Sequence, residues 1–206
     1  ARDLRASYLA LNPLQAIHNR LPYNSSPYLP NSLLFRNFIY LDIERLPGFS
    51  ESKAAQHLIA SDRVQTEIAR LNASELVDYE PVAKLKRVFL LHLFRTFWQR
   101  HWQANSPLAD QFQSYIQAQG RPLELYALHC ALDEHFHRLD PNVWNWPQWP
   151  APYQDPDSAE CHAFAAAHPR GMLFHQWVQW QIDEQLAGVQ QQAKAAGMAI
   201  GLFHDL

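Results

Sequence analysis

A short loop between two prolines carries side chains well suited to binding a ligand. Pro27 and Pro30 fix their own φ angles and bias the preceding residues toward extended conformations, so Tyr28 projects from a stiff turn beside Ser26. A pyranose presents apolar C–H faces and hydroxyl edges, and a tyrosine can contact both. The loop therefore suits a carbohydrate. The alternative, from these residues alone, is a proline-stiffened surface turn that binds nothing.

Asp205 is the strongest single candidate for a polar contact with a ligand. It follows an apolar run from Met198 that predicts a strand, and Asn12 follows another predicted strand over residues 7–11. A carboxylate in this position either binds a ligand at the mouth of a barrel or caps the next helix. Capping is the commoner role of an isolated aspartate. If the two runs are parallel barrel strands, Asn12 and Asp205 both lie at the carboxyl-terminal ends of those strands, where barrel enzymes place their functional residues.

Two further groups of side chains invite a functional interpretation. A run of possible metal ligands contains no His pair four residues apart around a glutamate and no CxxC motif, so we predict no metal and no cofactor. The run comprises His129, Cys130, Asp133, Glu134, His135 and His137.

The second group is a proline-rich loop with Trp144, Trp146 and Trp149, which could stack on sugars or fill gaps between helices. We favour packing there, and also for Trp177 and Trp180.

Helix dominates the predicted elements between the two outer strands. Ser50 or Ser52 can cap a helix that continues to about Leu71, and apolar spacing predicts a second helix over residues 79–102. Gly120 and Pro122 separate two more, over residues 108–119 and 123–138. Further helices are predicted over residues 158–168 and 171–196. Residues 38–43 form a short strand or an irregular extended segment.

Composition narrows the classes of protein and partner. The chain has 206 residues, 48% of them hydrophobic, and a net charge of -3, so we expect a globular fold without the basic field that nucleic acid requires. The apolar run from Val88 is interrupted by His92 and Arg95, and we expect no membrane-spanning segment. Cys130 and Cys161 lie in predicted helices, which favours reduced thiols and the cytoplasm.

Several ordered motifs carry a resemblance to a known family. They are Leu11-Asn-Pro-Leu-Gln-Ala-Ile17, Ser26-Pro-Tyr28, Asn37-Phe-Ile-Tyr-Leu-Asp42, Val77-Asp-Tyr79 with Lys84-Leu-Lys86, Trp144-Asn-Trp-Pro-Gln-Trp-Pro150, Phe174 to Trp180, and the segment from Gly197 to Leu206. In this order the chain resembles the amylomaltases, the 4-alpha-glucanotransferases of the α-amylase clan. Gln15 stands where histidine is common in that family, and Phe38 replaces the usual proline after Asn37.

The resemblance implies a fold that is mainly α. Residues 48–197 would form a helical insertion subdomain, flanked by two short strands of an incomplete (β/α)8 barrel. Residues 1–47 would hold one strand and the glucan-binding loop, and residues 198–206 would begin the next strand. The chain is then expected to be a piece of a longer enzyme.

The resemblance also implies the partner and the site. The partner is an α-1,4-glucan, and Ser26, Tyr28 and Asp205 match family positions that bind it. Arg138-Leu-Asp140 imitates half of the family's nucleophile motif but lies inside the helical insertion. The catalytic carboxylates are expected after Leu206, so no catalytic residue is predicted here and the chain alone should be inactive. The alternative is a free-standing helical module that binds carbohydrate or another protein.

Overall fold

The chain folds into two compact units in the computed structural model, which describes residues 6–20 and 26–205. The first unit joins the described residues up to 99 to those from 181 onward, and the second contains residues 100–180. Helix predominates, as predicted. The predicted boundaries of the helical insertion, after residues 47 and 197, stay a prediction.

The outer strands of the first unit pair with each other. β1 (Tyr8–Leu11) lies parallel to β4 (Gly201–His204), with Tyr8 opposite Gly201 and Leu11 opposite His204. Both strands were expected from their apolar runs. Parallel pairing of strands so distant in sequence requires a long connection, which the intervening helices provide.

A second, antiparallel pair forms the base of the proline-stiffened loop. It consists of β2 (Gln15–Ala16) and β3 (Ser32–Arg36), with Gln15 opposite Arg36. The prediction of a short strand over residues 38–43 is wrong, because Phe38–Tyr40 form a 3₁₀ turn. The side chain of Asn37 accepts a hydrogen bond from the Ile39 N–H and thereby caps this turn.

Three helices follow in the part of the first unit that precedes residue 100: α1 (Lys53–Ile59), α2 (Asp62–Asn72) and α3 (Tyr79–Phe97). Ser52 caps α1 as predicted, accepting from the Ala55 N–H. The single helix expected through Leu71 is divided because Ser61 takes an extended backbone and its hydroxyl donates to the Leu58 carbonyl at 2.7 Å. A π-helical turn, Trp98–Trp102, follows α3.

The second unit is helical. α4 (Pro107–Leu139) bends at Gly120, where φ is 59° and ψ is -143°, so the predicted separation of two helices at this glycine is confirmed. α5 (Ala159–Ala167) begins at its predicted cap, Ser158, and α6 (Pro169–Ala195) continues into the first unit. A cluster of buried side chains joins α4, α5, the start of α6 and the tryptophan loop: Ala127, Leu128, Leu132, Phe136, Trp149, Cys161, Phe164 and Met172. Within residues 6–20 and 26–205, no helix has the length and apolar character needed to cross a membrane.

Candidate functional site

Asp205 lies at the carboxyl end of the parallel strand pair. Its N–H donates to the Leu11 carbonyl at 3.2 Å, which continues the pairing beyond Leu11 and His204. Asn12 follows Leu11, so Asn12 and Asp205 leave the sheet at the same edge. The Asp205 side chain is exposed there. This is the edge at which parallel strands of α/β barrels present their functional residues.

Ser26 and Tyr28 share one tight turn. The Leu29 N–H donates to the Ser26 carbonyl at 3.2 Å, and the Tyr28 N–H donates to Ser26 Oγ at 3.4 Å. The serine hydroxyl therefore supports the turn as an acceptor and retains its own proton for a ligand. The Tyr28 side chain is 62% exposed, which leaves its ring face open for stacking. Asp205 belongs to a separate element.

The ends of this loop are fastened to the segment before it. The Asn31 N–H donates to the Ala16 carbonyl at 2.7 Å, and the Asn37 N–H donates to the Leu14 carbonyl at 2.8 Å. Asn19, with φ of 53°, and Asn37 pair through their buried side-chain amides. Sequence reasoning did not identify this pair, although Asn37 opens one of the motifs on which the resemblance depends.

A partly buried lysine holds the segment that follows β3. Lys86 Nζ, on α3, donates to the carbonyls of Ile39 and Leu41, the second at 2.8 Å. Burial lowers the pKa of Lys86, and the nearby Asp42 carboxylate opposes that shift. Lys86 ends the Lys84-Leu-Lys86 motif, so the motif contributes a structural contact to the base of the loop.

Three polar side chains cluster near the end of β4. Gln15 lies opposite Arg36 in the antiparallel pair. The positive charge of Arg36 interacts with the His204 imidazole. Gln15 Oε1 and His204 Nδ1 are buried atoms that find no hydrogen-bond partner among the residues that the structure describes. Burial first, and the Arg36 guanidinium second, lower the pKa of His204, so the neutral imidazole is favoured. Of these three, sequence reasoning noticed only Gln15, as a departure from the family.

Most of the tryptophans and histidines described in the second unit contact other protein groups within that unit. Trp149, Trp177 and Trp180 are buried, as expected for packing residues, whereas Trp146 is half-exposed. The His129 ring lies 5.2 Å from that of Trp149, and His137 Nδ1 lies 3.0 Å from the Val143 carbonyl oxygen. No group of three or more His, Cys, Asp or Glu side chains suited to a metal ion occurs in the parts of the chain that the structure describes.

Asp140, the carboxylate that imitates the family nucleophile, has a local role. Its Oδ1 accepts from the Asn142 N–H at 2.9 Å and from Asn142 Nδ2 at 3.0 Å. These bonds form a turn directly after α4, in the second unit. Its chemistry here is that of a turn residue.

Comparison with known proteins assigns the chain to a family. The profile of the 4-alpha-glucanotransferase family, glycoside hydrolase family 77, matches residues 1–206. The 4-alpha-glucanotransferase of Haemophilus influenzae is 34% identical over 205 residues, covering 98% of this chain and 29% of that protein. Its counterpart in Mycobacterium tuberculosis is 32% identical over 209 residues, covering 98% of this chain and 27% of that protein.

A solved structure gives the same assignment. The amylomaltase of Corynebacterium glutamicum superposes with a TM-score of 0.70 and 28% identity, over 98% of this chain and 25% of that one. The chain thus spans less than a third of the length of these relatives. Since both the profile and the relatives match it almost from end to end, the chain belongs to the 4-alpha-glucanotransferase family.

Proposed function

We propose that the complete protein carrying this chain transfers α-1,4-glucan segments between maltooligosaccharides, by a retaining double displacement. The observation that carries the proposal is the family match across residues 1–206. The position of Asp205 at the carboxyl edge of two parallel strands supports it independently, since that edge is where barrel enzymes gather their functional groups.

In this proposal the chain orients the glucan and does not cleave it. Tyr28 stacks on a glucose face, Ser26 contributes a hydroxyl, and the Asp205 carboxylate accepts hydrogen bonds from sugar hydroxyls. A retaining transfer also requires a carboxylate nucleophile and a carboxylic acid about 5 Å apart. We assign neither role to a residue of this chain. Orientation lowers the barrier by holding the glucosidic bond where that carboxyl pair can reach it.

The proposed architecture follows from the same assignment. Residues 1–47 and 198–206 contribute strands to a (β/α)8 barrel, and residues 48–197 form a helical insertion. The parallel register of β1 and β4 supports this arrangement, because barrel strands pair in parallel. A cytoplasmic location is part of the proposal and is supported by Cys130 and Cys161, which are free thiols in the structure.

The test is disproportionation of maltotriose by the complete protein. Transfer yields glucose together with longer maltooligosaccharides and leaves the total number of reducing ends unchanged, whereas hydrolysis increases it. Chromatography of the products and a reducing-end assay distinguish the two reactions. We expect transfer by the complete protein and none by the 206-residue chain alone. Saturable binding of maltoheptaose without any transfer would instead support a carbohydrate-binding module.

A further inference from the structure

A glutamine on α6 binds the backbone of the strand that leads to Asp205. Gln190 Oε1 accepts from the Leu202 N–H at 2.6 Å, and Gln190 Nε2 donates to the Ile200 carbonyl at 2.9 Å. One side-chain amide therefore satisfies a donor of β4 and an acceptor of the residue directly before it. A neighbouring strand would satisfy the same two groups with a peptide unit.

These bonds lie on the edge of β4 that faces away from β1. The N–H groups of Ile200 and Gly201 point toward β1 and donate to the Ser7 carbonyl, and the Asp205 N–H donates to the Leu11 carbonyl. The Ile200 carbonyl lies opposite the Gly201 N–H in the same planar peptide unit, so it points away from β1. The Leu202 N–H points the same way, because backbone groups alternate along a strand. Gln190 thus binds the side of β4 that faces away from β1. Contact is close: a Cβ added to Gly201, whose φ is 86°, would lie 2.4 Å from Gln190 Oε1.

A second glutamine on the same helix binds another backbone segment in the same manner. Gln185 Oε1 accepts from the Asp42 N–H at 2.9 Å, and Gln185 Nε2 donates to the Asp42 carbonyl at 2.7 Å. Asp42 ends the segment that follows β3, the strand leading from the Ser26 and Tyr28 turn. The two glutamines are five positions apart in the sequence, which corresponds to roughly 7.5 Å along the axis of an α-helix.

We propose that Gln185 and Gln190 are positioning residues, through which α6 sets the separation between the strand that leads to Asp205 and the segment that is connected through β3 to the proposed glucan-binding turn. The inference rests on the proposed function. A helix is a rigid spacer, and each amide fixes its segment with two hydrogen bonds of defined direction. Loss of either amide leaves the corresponding segment free to shift against the helix. Glucan affinity then falls, while the chemistry of the bound glucan is little changed.

The experiment compares variants of the complete protein. Gln190→Leu removes both hydrogen bonds to β4, and Gln190→Glu keeps the acceptor for Leu202 but loses the donor for Ile200. Gln191→Leu is the matched control, since Gln191 is an exposed neighbour on the same helix. For each protein we would measure kcat and KM for maltotriose, and hydrogen exchange of the peptide over residues 199–205 by mass spectrometry.

We expect Gln190→Leu to raise KM about tenfold with kcat changed less than about twofold, and to accelerate exchange in this peptide. Gln190→Glu should keep the exchange slow at Leu202 and still raise KM. Gln191→Leu should resemble the wild type, and Gln185→Leu should raise KM without accelerating exchange over residues 199–205.

Two results would overturn the inference: unchanged exchange in Gln190→Leu, or accelerated exchange with the KM of the Gln191→Leu control. A wild-type protein without transfer activity would instead refute the proposed function, and with it the link to glucan affinity. Exchange would still decide, in that case, whether Gln190 holds the strand.

Discussion

The side chains of Asn19 and Asn37 donate to each other, with both Nδ2 to Oδ1 distances at 2.8 Å. Each residue is only 2% exposed. The two amides bracket the segment that contains the Ser26 and Tyr28 turn, and Asn37 Oδ1 also accepts from the Ile39 N–H. One buried pair therefore fastens both ends of the candidate glucan-binding loop.

Asn37→Ala is expected to lower the free energy of unfolding by about 3 kcal/mol, because it removes a cap and leaves the buried Asn19 amide without its partner. Denaturant unfolding followed by circular dichroism measures the change. Asn72→Ala, at an exposed position on α2, should alter stability by less than about 0.5 kcal/mol. Equal effects of the two substitutions would show that the buried pair contributes nothing particular.

Two glycines should respond to alanine in opposite directions. Gly120 has φ of 59° at the bend in α4, and Gly188 lies inside α6; an added Cβ would meet nothing within 4 Å at either position. Gly120→Ala should therefore destabilise the protein by about 1 to 3 kcal/mol through backbone strain alone. Gly188→Ala should stabilise it by about 0.5 to 1 kcal/mol. Thermal unfolding of both variants checks the sign, and stabilisation by Gly120→Ala would contradict the strained backbone.

The elements that local chemistry specifies were predictable. Apolar runs predicted β1 and β4, serine caps predicted the starts of α1 and α5, and Gly120 predicted the bend in α4, because each signal acts within a few residues. The 3₁₀ turn after Asn37 was missed for the complementary reason. It depends on an amide pair with Asn19, a contact that no local pattern reveals.

The tryptophan loop offers a test of packing against sugar stacking. Trp149 is 4% exposed in the core of the second unit, whereas Trp146 is 49% exposed on the same loop. Trp149→Ala should cost about 3 to 5 kcal/mol of stability, and Trp146→Ala less than about 0.5 kcal/mol. Chemical unfolding measures both. If Trp146→Ala also abolished the fluorescence response to maltoheptaose, the stacking interpretation would hold for Trp146.

The candidate site was predictable only in part. Ser26, Tyr28 and Asp205 could be named because the family resemblance supplied their roles, and those roles stay predictions. Gln185, Gln190, Lys86 and His204 were invisible as site residues, since each acts through contacts with distant backbone or charge. Glutamine and lysine on helices are ordinarily solvent-facing residues, so their types gave no signal.

His204 should impose a pH dependence on stability. Its pKa is lowered in the folded protein by burial and by Arg36, so the unfolded chain binds the proton more readily. The contribution of His204 is therefore complete above its unfolded pKa of about 6.5 and is lost as pH falls toward the lower folded value. Free energies of unfolding from pH 7.5 to 5 should decline less steeply in His204→Gln than in the wild type.

A substitution at Arg36 sharpens the titration experiment. Arg36→Gln should reduce the slope, because removing the guanidinium raises the pKa of His204 toward its ordinary value. Parallel pH profiles for wild type and His204→Gln would refute the assignment.

Tyr28 and Asp205 can be tested separately as two parts of the proposed glucan site. Tyr28→Ala removes an exposed ring, and we expect KM of the complete protein for maltotriose to rise about tenfold, while Tyr28→Phe, which keeps the stacking face, changes it less than about threefold. Asp205→Asn keeps the shape of the side chain but removes its charge, and should weaken binding because hydrogen bonds to a charged acceptor are the stronger ones. Steady-state kinetics with maltotriose measures all three variants.

The control is Leu34→Ala, which removes an exposed apolar side chain on β3. Kinetics of Tyr28→Ala that match this control would mean that the turn does not contact the glucan.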